Sequence, residues 1–236
     1  MDGSDGSGYD AGPYLPDTGG LDALRRAAAG CRGCPLFAAA TQTVFGEGPP
    51  RARLVLVGEQ PGDQEDRRGA PFVGPAGNLL HKALDEAGLA DEPLYLTNAV
   101  KHFKYLREEG GKRRIHKPPS LREMKACRPW LAAELAVIEP DLVVALGATA
   151  GRALLGGSFR VGEHRGVLRP MPAYDALGTD PAAGDGAGGG DGDGGADGHG
   201  RLLATVHPSA VLRARDREEA YQGLLADLRT AATALG

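Results

Sequence analysis

Four short apolar runs constrain this chain more than anything else in it: Leu54–Val57 (LVLV), Leu94–Thr97 (LYLT), Asp141–Gly147 (DLVVALG) and Arg201–Val206 (RLLATV). Each lacks polar alternation and carries Leu with β-branched or aromatic residues, the pattern of strands buried on both faces of a parallel sheet. Segments with helical spacing separate them. The chain is therefore predicted to be α/β, a four-stranded parallel central sheet with helices on both faces.

Chemistry collects where the runs end. The first stops at Gly58 and is followed by Glu59, Gln60, Pro61, Gly62 and Asp63. Pro61 and Gly62 oppose continuation of strand or helix, so a turn presents Glu59, Gln60 and Asp63 at the strand's carboxyl end, where open α/β sheets bind ligands. Gly69–Pro75 (GAPFVGP) then places the Phe72 ring on an exposed loop before a helix from Ala76 to Ala87. Asn98 follows the second run and His207 the fourth. A solvated turn accounts for Glu59–Asp63 alone, but not for polar residues on three strand ends that converge on one sheet edge.

The net charge of −4 conceals two different populations. Residues 1–20 hold four Asp and residues 173–200 six, neither stretch with a Lys or Arg, so the remaining body carries +6. The first stretch is expected to be a disordered tail and the second a flexible Gly/Asp insertion, leaving one domain over residues 21–236. Residues 101–128 carry ten Lys or Arg against three Glu, a candidate phosphate-binding face. Within it, 103–119 is read as a long basic loop. Ser120 with Glu123 forms a capping box for a helix from Leu121 to Ile138, which contains Trp130 as core packing. Other expected elements are a helix over Leu21–Ala29, a strand with a turn over Val161–Met171, and a final helix over Arg215–Leu235.

Three cysteines give no even disulfide framework, and neither a signal peptide nor a membrane-length apolar run is visible, so the expectation is a cytoplasmic protein with no membrane contact. Cys31-Arg32-Gly33-Cys34 is a C-x-x-C pair, which alone does not distinguish zinc, an iron–sulfur cluster or a redox dithiol.

An aromatic face, an amide and a histidine suit a planar heterocycle. Phe72 can stack on it, Asn98 can read adjacent N–H and C=O groups, and His207 can stabilise an oxygen on which charge develops. Beside a basic strip, the ring is expected to be a nucleobase swung out of a nucleic-acid strand. The motifs Gly58-Glu59-Gln60-Pro61-Gly62, Gly69-Ala70-Pro71-Phe72-Val73-Gly74-Pro75-Ala76-Gly77, Thr97-Asn98-Ala99-Val100-Lys101 and His207-Pro208-Ser209 resemble those of the iron–sulfur uracil-DNA glycosylases. Lys112-Arg113-Arg114-Ile115-His116 is similar to the distinctive loop of their UdgX group. The likeness spans residues 21–235 apart from the insertion.

The resemblance implies a three-layer α/β/α fold and a DNA-repair enzyme that excises uracil, preferring single-stranded DNA and acting as a monomer. In the UdgX group the protein then stays bonded to the sugar. Carried onto this sequence, the resemblance assigns uracil binding to Phe72, Asn98 and His207, with Gln60 and Asp63 in the same turn. It gives His116 the bond to C1′ and Glu59 the role of assisting it. Lys112, Arg113, Arg114, Ser209 and Arg213 are expected to contact DNA. Cys31, Cys34 and Cys127 match three ligands of a [4Fe–4S] cluster, and His102 stands where the family has its fourth Cys. On ligand types alone a Cys₃His zinc site is the alternative.

The chemistry proposed for His116 also stands independently. Glycosidic cleavage leaves an oxocarbenium-like sugar. An imidazole held against C1′ competes with water through an effective molarity of roughly 10⁵ M or more. Two other readings are a conventional turnover glycosylase with an iron–sulfur cluster and a non-catalytic iron–sulfur protein that binds nucleic acid.

Overall fold

The computed structural model describes residues 8–108, 113–179 and 200–236. In chain order the helices and strands are α1 (Leu21–Ala28), β1 (Leu54–Gly58), α2 (Asp63–Arg68), α3 (Pro75–Glu86), β2 (Leu94–Asn98), β3 (Tyr105–Arg107), β4 (Arg114–His116), α4 (Leu121–Ile138), β5 (Leu142–Leu146), α5 (Gly147–Leu155), α6 (Val161–His164), β6 (Arg169–Pro170), β7 (Arg201–Thr205), α7 (Pro208–Arg213) and α8 (Arg217–Leu235).

The four apolar runs are the four parallel strands β1, β2, β5 and β7. The sheet has five strands, not four, in the order β2-β1-β5-β7-β6. The added β6 is antiparallel to β7 and pairs only Arg169 with Leu202 and Pro170 with Arg201. Two residues ending in Pro are too short for any periodic signal, which explains why the Val161–Met171 segment read as one strand. Its first part is the helix α6.

Alternation along each strand divides the core in two. Val55 and Val57 face one side with Val143, Ala145, Leu202 and Ala204, and pack against Trp130, Leu131 and Leu135 of α4. Leu54 and Leu56 face the other side with Leu142, Val144 and Leu203, against Leu80 and Leu84 of α3 and Leu224 and Leu228 of α8. A sheet apolar on both faces needs both helix layers to keep it from water, hence the three-layer α/β/α arrangement.

The order places β1 between β2 and β5, so the chain leaves β1 to one side and later returns on the other. The crevice at the carboxyl ends of β1 and β5 is the topological switch point of the sheet.

One further expectation is revised. The tail predicted to be disordered through residue 20 packs from Ala11, which is buried and donates its N–H to the Ala126 carbonyl at 2.9 Å. Tyr14 and Leu15 also rest against the core. Of the Gly/Asp insertion, residues 180–199 lie outside the described residues; Tyr174–Ala176 forms a 3₁₀ turn. The Ser120 capping box is present, with Glu123 N–H on Ser120 Oγ at 3.3 Å and Ser120 N–H on Glu123 Oε2 at 2.6 Å.

Candidate active site

Glu59 is the first residue past β1, and Thr149 lies in the first turn of α5, which follows β5. The Thr149 hydroxyl donates to Glu59 Oε2 across the switch point. Burial pushes the Glu59 carboxyl up, but hydrogen bonds from His116 and Thr149 and the positive potential of His116 and His207 outweigh it and leave the pKa below the ordinary carboxylate value. Thr149 is absent from the sequence prediction. Its signal was available, since it stands three residues past the end of the third strand.

Glu59 opens a cavity of 840 Å³, whose lining includes Phe72, Asn98, His116 and His207. Phe72 differs from expectation: its ring is buried, 5% exposed, rather than displayed on a loop. Its backbone sits at φ 55°, an uncommon left-handed conformation for an aromatic residue. Two glycines make room for it. A Cβ on Gly77 would stand 1.8 Å from the Phe72 carbonyl oxygen, and one on Gly58 would stand 2.7 Å from Phe72 Cζ and 2.3 Å from Asn98 Oδ1. Gly58 thus ends the strand and lets ring and amide approach one wall.

Asn98 is buried at the end of β2, and among the described residues its side-chain amide has no hydrogen-bond partner. The Asn98 backbone carbonyl accepts from Lys101 Nζ at 2.8 Å. Lys101 is itself buried, bound to Glu134 and to Thr97 Oγ1. Nδ1 of His207 accepts the Ser209 backbone N–H at 3.1 Å and lies 2.8 Å from Ser209 Oγ. An acceptor Nδ1 leaves the proton on Nε2. Burial pushes this imidazole down to about 4, against the pull of Glu59, so at neutral pH it is an uncharged N–H donor on the cavity wall. The His207 and Phe72 rings are stacked at 6.3 Å between centroids.

The region read as a basic loop contains an antiparallel hairpin, with Tyr105 opposite His116, Leu106 opposite Ile115 and Arg107 opposite Arg114. His116 Nε2 lies 3.2 Å from Glu59 Oε1, so the hairpin brings the imidazole to the side of the molecule that holds Glu59 and Asn98. The His116 side chain is 49% exposed, open to a substrate entering the cavity.

Gln60 and Asp63 serve this hairpin and do not present free groups to a base. Gln60 Nε2 donates to the Lys117 carbonyl at 2.9 Å and the Lys104 carbonyl at 3.2 Å, and its Oε1 accepts the Lys104 N–H at 3.2 Å. One amide thus clamps both ends of the hairpin. Asp63 accepts from Arg114 and Arg67. Arg114 is correspondingly not a free phosphate ligand: its guanidinium is held by Asp63 and the fully buried Asp66 and lies over the Phe103 and Tyr105 rings. Asp66 went unnoticed in the sequence because it is in α2, a six-residue helix that Pro61 and Gly62 concealed. Arg113, Ser209 and Arg213 line the cavity, and among the described residues neither Arg has a carboxylate partner. Lys112 lies outside the described residues.

Behind the cavity, Cys31, Cys34 and Cys127 are all buried free thiols. Burial raises Cys34 and pushes Cys127 up to about 12, with Cys31 adding to both shifts and Cys34 to that of Cys127. Two N–H groups are directed at sulfur, Trp130 Nε1 at Cys31 and the Lys101 backbone at Cys127, each at 3.3 Å. His102 is buried with Nε2 2.9 Å from Thr43 Oγ1. Because the Thr43 hydroxyl donates to the Ala28 carbonyl, its oxygen is the acceptor from Nε2–H, and Nδ1 of His102 keeps its lone pair. Buried thiols with N–H donors on sulfur and a ring nitrogen free to ligate fit a Cys₃His cofactor site. Among the described residues no group of three His, Cys, Asp or Glu forms a single-ion site. No described helix is long and apolar enough to cross a membrane.

A family model described as the uracil DNA glycosylase superfamily matches residues 45–229. The chain is 43% identical over 120 residues to a Type-4 uracil-DNA glycosylase of Thermotoga maritima, covering 51% of this chain and 58% of that protein. It is 35% identical over 133 residues to one from Sulfurisphaera tokodaii, covering 54% of each. It is 33% identical over 149 residues to one from Pyrobaculum aerophilum, covering 63% of this chain and 71% of that protein. The chain thus spans little more than half the length of the first two relatives.

Proposed function

The chain belongs to the uracil DNA glycosylase superfamily, and on that premise we propose that it removes uracil from DNA and then bonds to the exposed sugar through His116. The observation that carries the second half is the position of His116 against Glu59, on the cavity that Phe72 and Asn98 share.

In this reading uracil swings out of the strand, stacks on Phe72 and presents its N–H and C=O edge to the unpartnered Asn98 amide. As the bond between C1′ and the base nitrogen breaks, its electron pair leaves with the base. The neutral Nε2–H of His207 donates to the oxygen that takes up the charge. The sugar becomes oxocarbenium-like, and a lone pair of the His116 ring forms a bond to C1′. Glu59, ionised and hydrogen-bonded to the ring, stabilises the resulting imidazolium. The imidazolium then passes its N–H proton by way of Glu59 to solvent, and the neutral N-alkyl imidazole that remains is a poor leaving group, so its hydrolysis is slow.

Arg113 and Arg213, which have no carboxylate partner among the described residues, supply phosphate contacts with Ser209, and such contacts position the strand without reading sequence. The accessible cavity mouth suits single-stranded DNA bound by one copy of the chain. Cys31, Cys34, Cys127 and His102 would hold a [4Fe–4S] cluster, a reading supported by the buried thiols with N–H donors suited to thiolates. The cluster's contribution when bound is to tie α1, the exit of β2 and α4 together.

The half-exposed His116 ring also leaves room for water, which favours a second reading as a turnover glycosylase in which water takes the sugar. One experiment separates the two. The full chain is incubated with uracil-containing single-stranded DNA and run on a denaturing gel, with free uracil counted in parallel. Capture predicts a stable protein–DNA band for the wild type, none for His116→Ser, and uracil release in excess of enzyme by that variant. A wild type that gives no band, or a His116→Ser band equal to it, overturns capture. Absence of free uracil in every case overturns excision itself.

A further inference from the structure

The hairpin that carries His116 has two faces, and the apolar pair on the second has no role in the site described above. Cross-strand register puts Tyr105, Arg107, Arg114 and His116 on the inner face, where Tyr105 is held by the Ala39 carbonyl at 2.9 Å, Arg114 by Asp63 and Asp66, and His116 by Glu59. Leu106 and Ile115 are on the outer face, directly opposite one another. They are 57% and 42% exposed, two of the six exposed large hydrophobic residues among those described. Scattered single apolar residues on a surface need no explanation. Two in one non-local pair, at the cavity mouth, do, because opposed side chains on a ribbon form one continuous apolar spot.

Three features define the occupant. Ile115 lines the cavity beside His116, so whatever covers the spot is next to whatever enters the cavity. Alternation along the ribbon puts Lys104, Glu108, Arg113 and Lys117 on the same face as the spot, and Lys104 is paired with Glu123, so Arg113 and Lys117 leave that face net positive, and the occupant is an apolar surface on an anionic chain. Gln60 holds both strands at the open end of the ribbon, which is therefore a preformed platform there. A nucleobase on a phosphate backbone meets all three conditions. We propose that Leu106 and Ile115 pack against the base adjacent to the one that enters the cavity, replacing the stacking that base loses when its neighbour leaves. This rests on the base-flipping reading above. It also gives single strands an advantage, since a neighbour in a duplex is held by its pair.

The test uses single-stranded oligonucleotides with one deoxyuridine and either a normal base or an abasic tetrahydrofuran residue immediately 5′ or 3′ of it. Single-turnover uracil loss is measured at subsaturating and saturating protein. For the wild type, an abasic neighbour on one side lowers the subsaturating rate about five- to tenfold, the low end of a base-stacking contact. In Leu106→Ser/Ile115→Ser the normal substrate falls to that same level and the abasic neighbour changes nothing further, while the saturating rate is retained. Leu106→Met/Ile115→Val keeps the wild-type pattern. A wild type indifferent to both neighbours overturns the proposal, as does a serine variant that keeps the full sensitivity. If no substrate loses uracil, excision has failed and the platform is tested separately: the same pattern is then required in binding of the same oligonucleotides by fluorescence anisotropy, and its absence overturns the proposal.

Discussion

Nε2 of His116 lies 3.2 Å from Oε1 of Glu59, a hydrogen-bonding contact between a hairpin rim and the exit of the first sheet strand. The carboxylate is also held by Thr149, so its orientation does not depend on the imidazole it supports. Glu59→Gln keeps the shape but removes the charge that stabilises an imidazolium. The expected result is covalent capture slowed about a hundredfold, with His116 present and the fold unchanged. Quenched-flow gels of the protein–DNA band check it; a variant that captures at the wild-type rate removes Glu59 from the chemistry.

The pH dependence follows from two depressed groups. His207 is neutral down to about 4 because burial disfavours its charged form, and Glu59 stays ionised to below the ordinary carboxylate range. In His116→Ser, uracil release is therefore expected to be level from pH 8 to about 5. It changes as pH falls through about 4, where His207 gains a proton; Glu59, whose low pKa depends in part on the His116 contact absent from this variant, is read instead from the pH profile of covalent capture by the wild type. A limb at the ordinary histidine position, near pH 6.5, would show that His207 does not act as a neutral donor.

Gln60 and Arg114 hold the hairpin from opposite directions, and their loss is expected to separate capture from excision. Gln60→Ala removes three hydrogen bonds at the hairpin ends, lowering capture about tenfold while uracil release changes by less than about threefold. Arg114→Ala strands the buried Asp66 beside Asp63, at a cost of about 3 kcal/mol in urea unfolding. Arg114→Lys recovers only part, because an ammonium cannot make the forked contact. Equal losses in both reactions for Gln60→Ala would place that amide in uracil recognition after all.

Arg113 has no carboxylate partner among the described residues, so its charge is available to DNA. In Arg113→Ala the slope of log affinity against log salt is expected to become shallower by about 0.7, the value for one phosphate contact on a single strand. Arg114, already neutralised by Asp63 and Asp66, contributes no such change, and Arg114→Lys, which keeps the fold, tests this. Salt titrations of binding followed by anisotropy distinguish the two.

Removal of iron by oxidant and chelator is expected to abolish the broad visible absorbance, expose three titratable thiols and lower Tm by roughly 10 °C, the scale of about 3–4 kcal/mol in a chain of this size. His102→Ser is expected to lower iron content, and His102→Cys to preserve it. Zinc without iron or sulfide in the purified protein would exclude the cluster.

Reading the sequence alone succeeded where one segment's pattern suffices. Continuous apolar runs identified all four parallel strands, since burial on both faces leaves no polar position. Ser120 and Glu123 identified a helix start because a capping box is complete within four residues. The exits of those strands placed Glu59, Asn98 and His207 on one sheet edge. Tertiary structure alone decided what each polar group is bonded to. Gln60, Asp63 and Arg114 have residue types suited to reading a base or a phosphate, but their partners lie far away in sequence, and no local pattern specifies which distant carbonyl or carboxylate will occupy them. The same holds for Phe72, whose burial depends on the missing side chains of Gly58 and Gly77, and for His116, which reaches Glu59 only because a hairpin formed where charge density suggested a loop. Local sequence determines which backbone forms; side-chain function depends on which groups from elsewhere have already satisfied its hydrogen bonds.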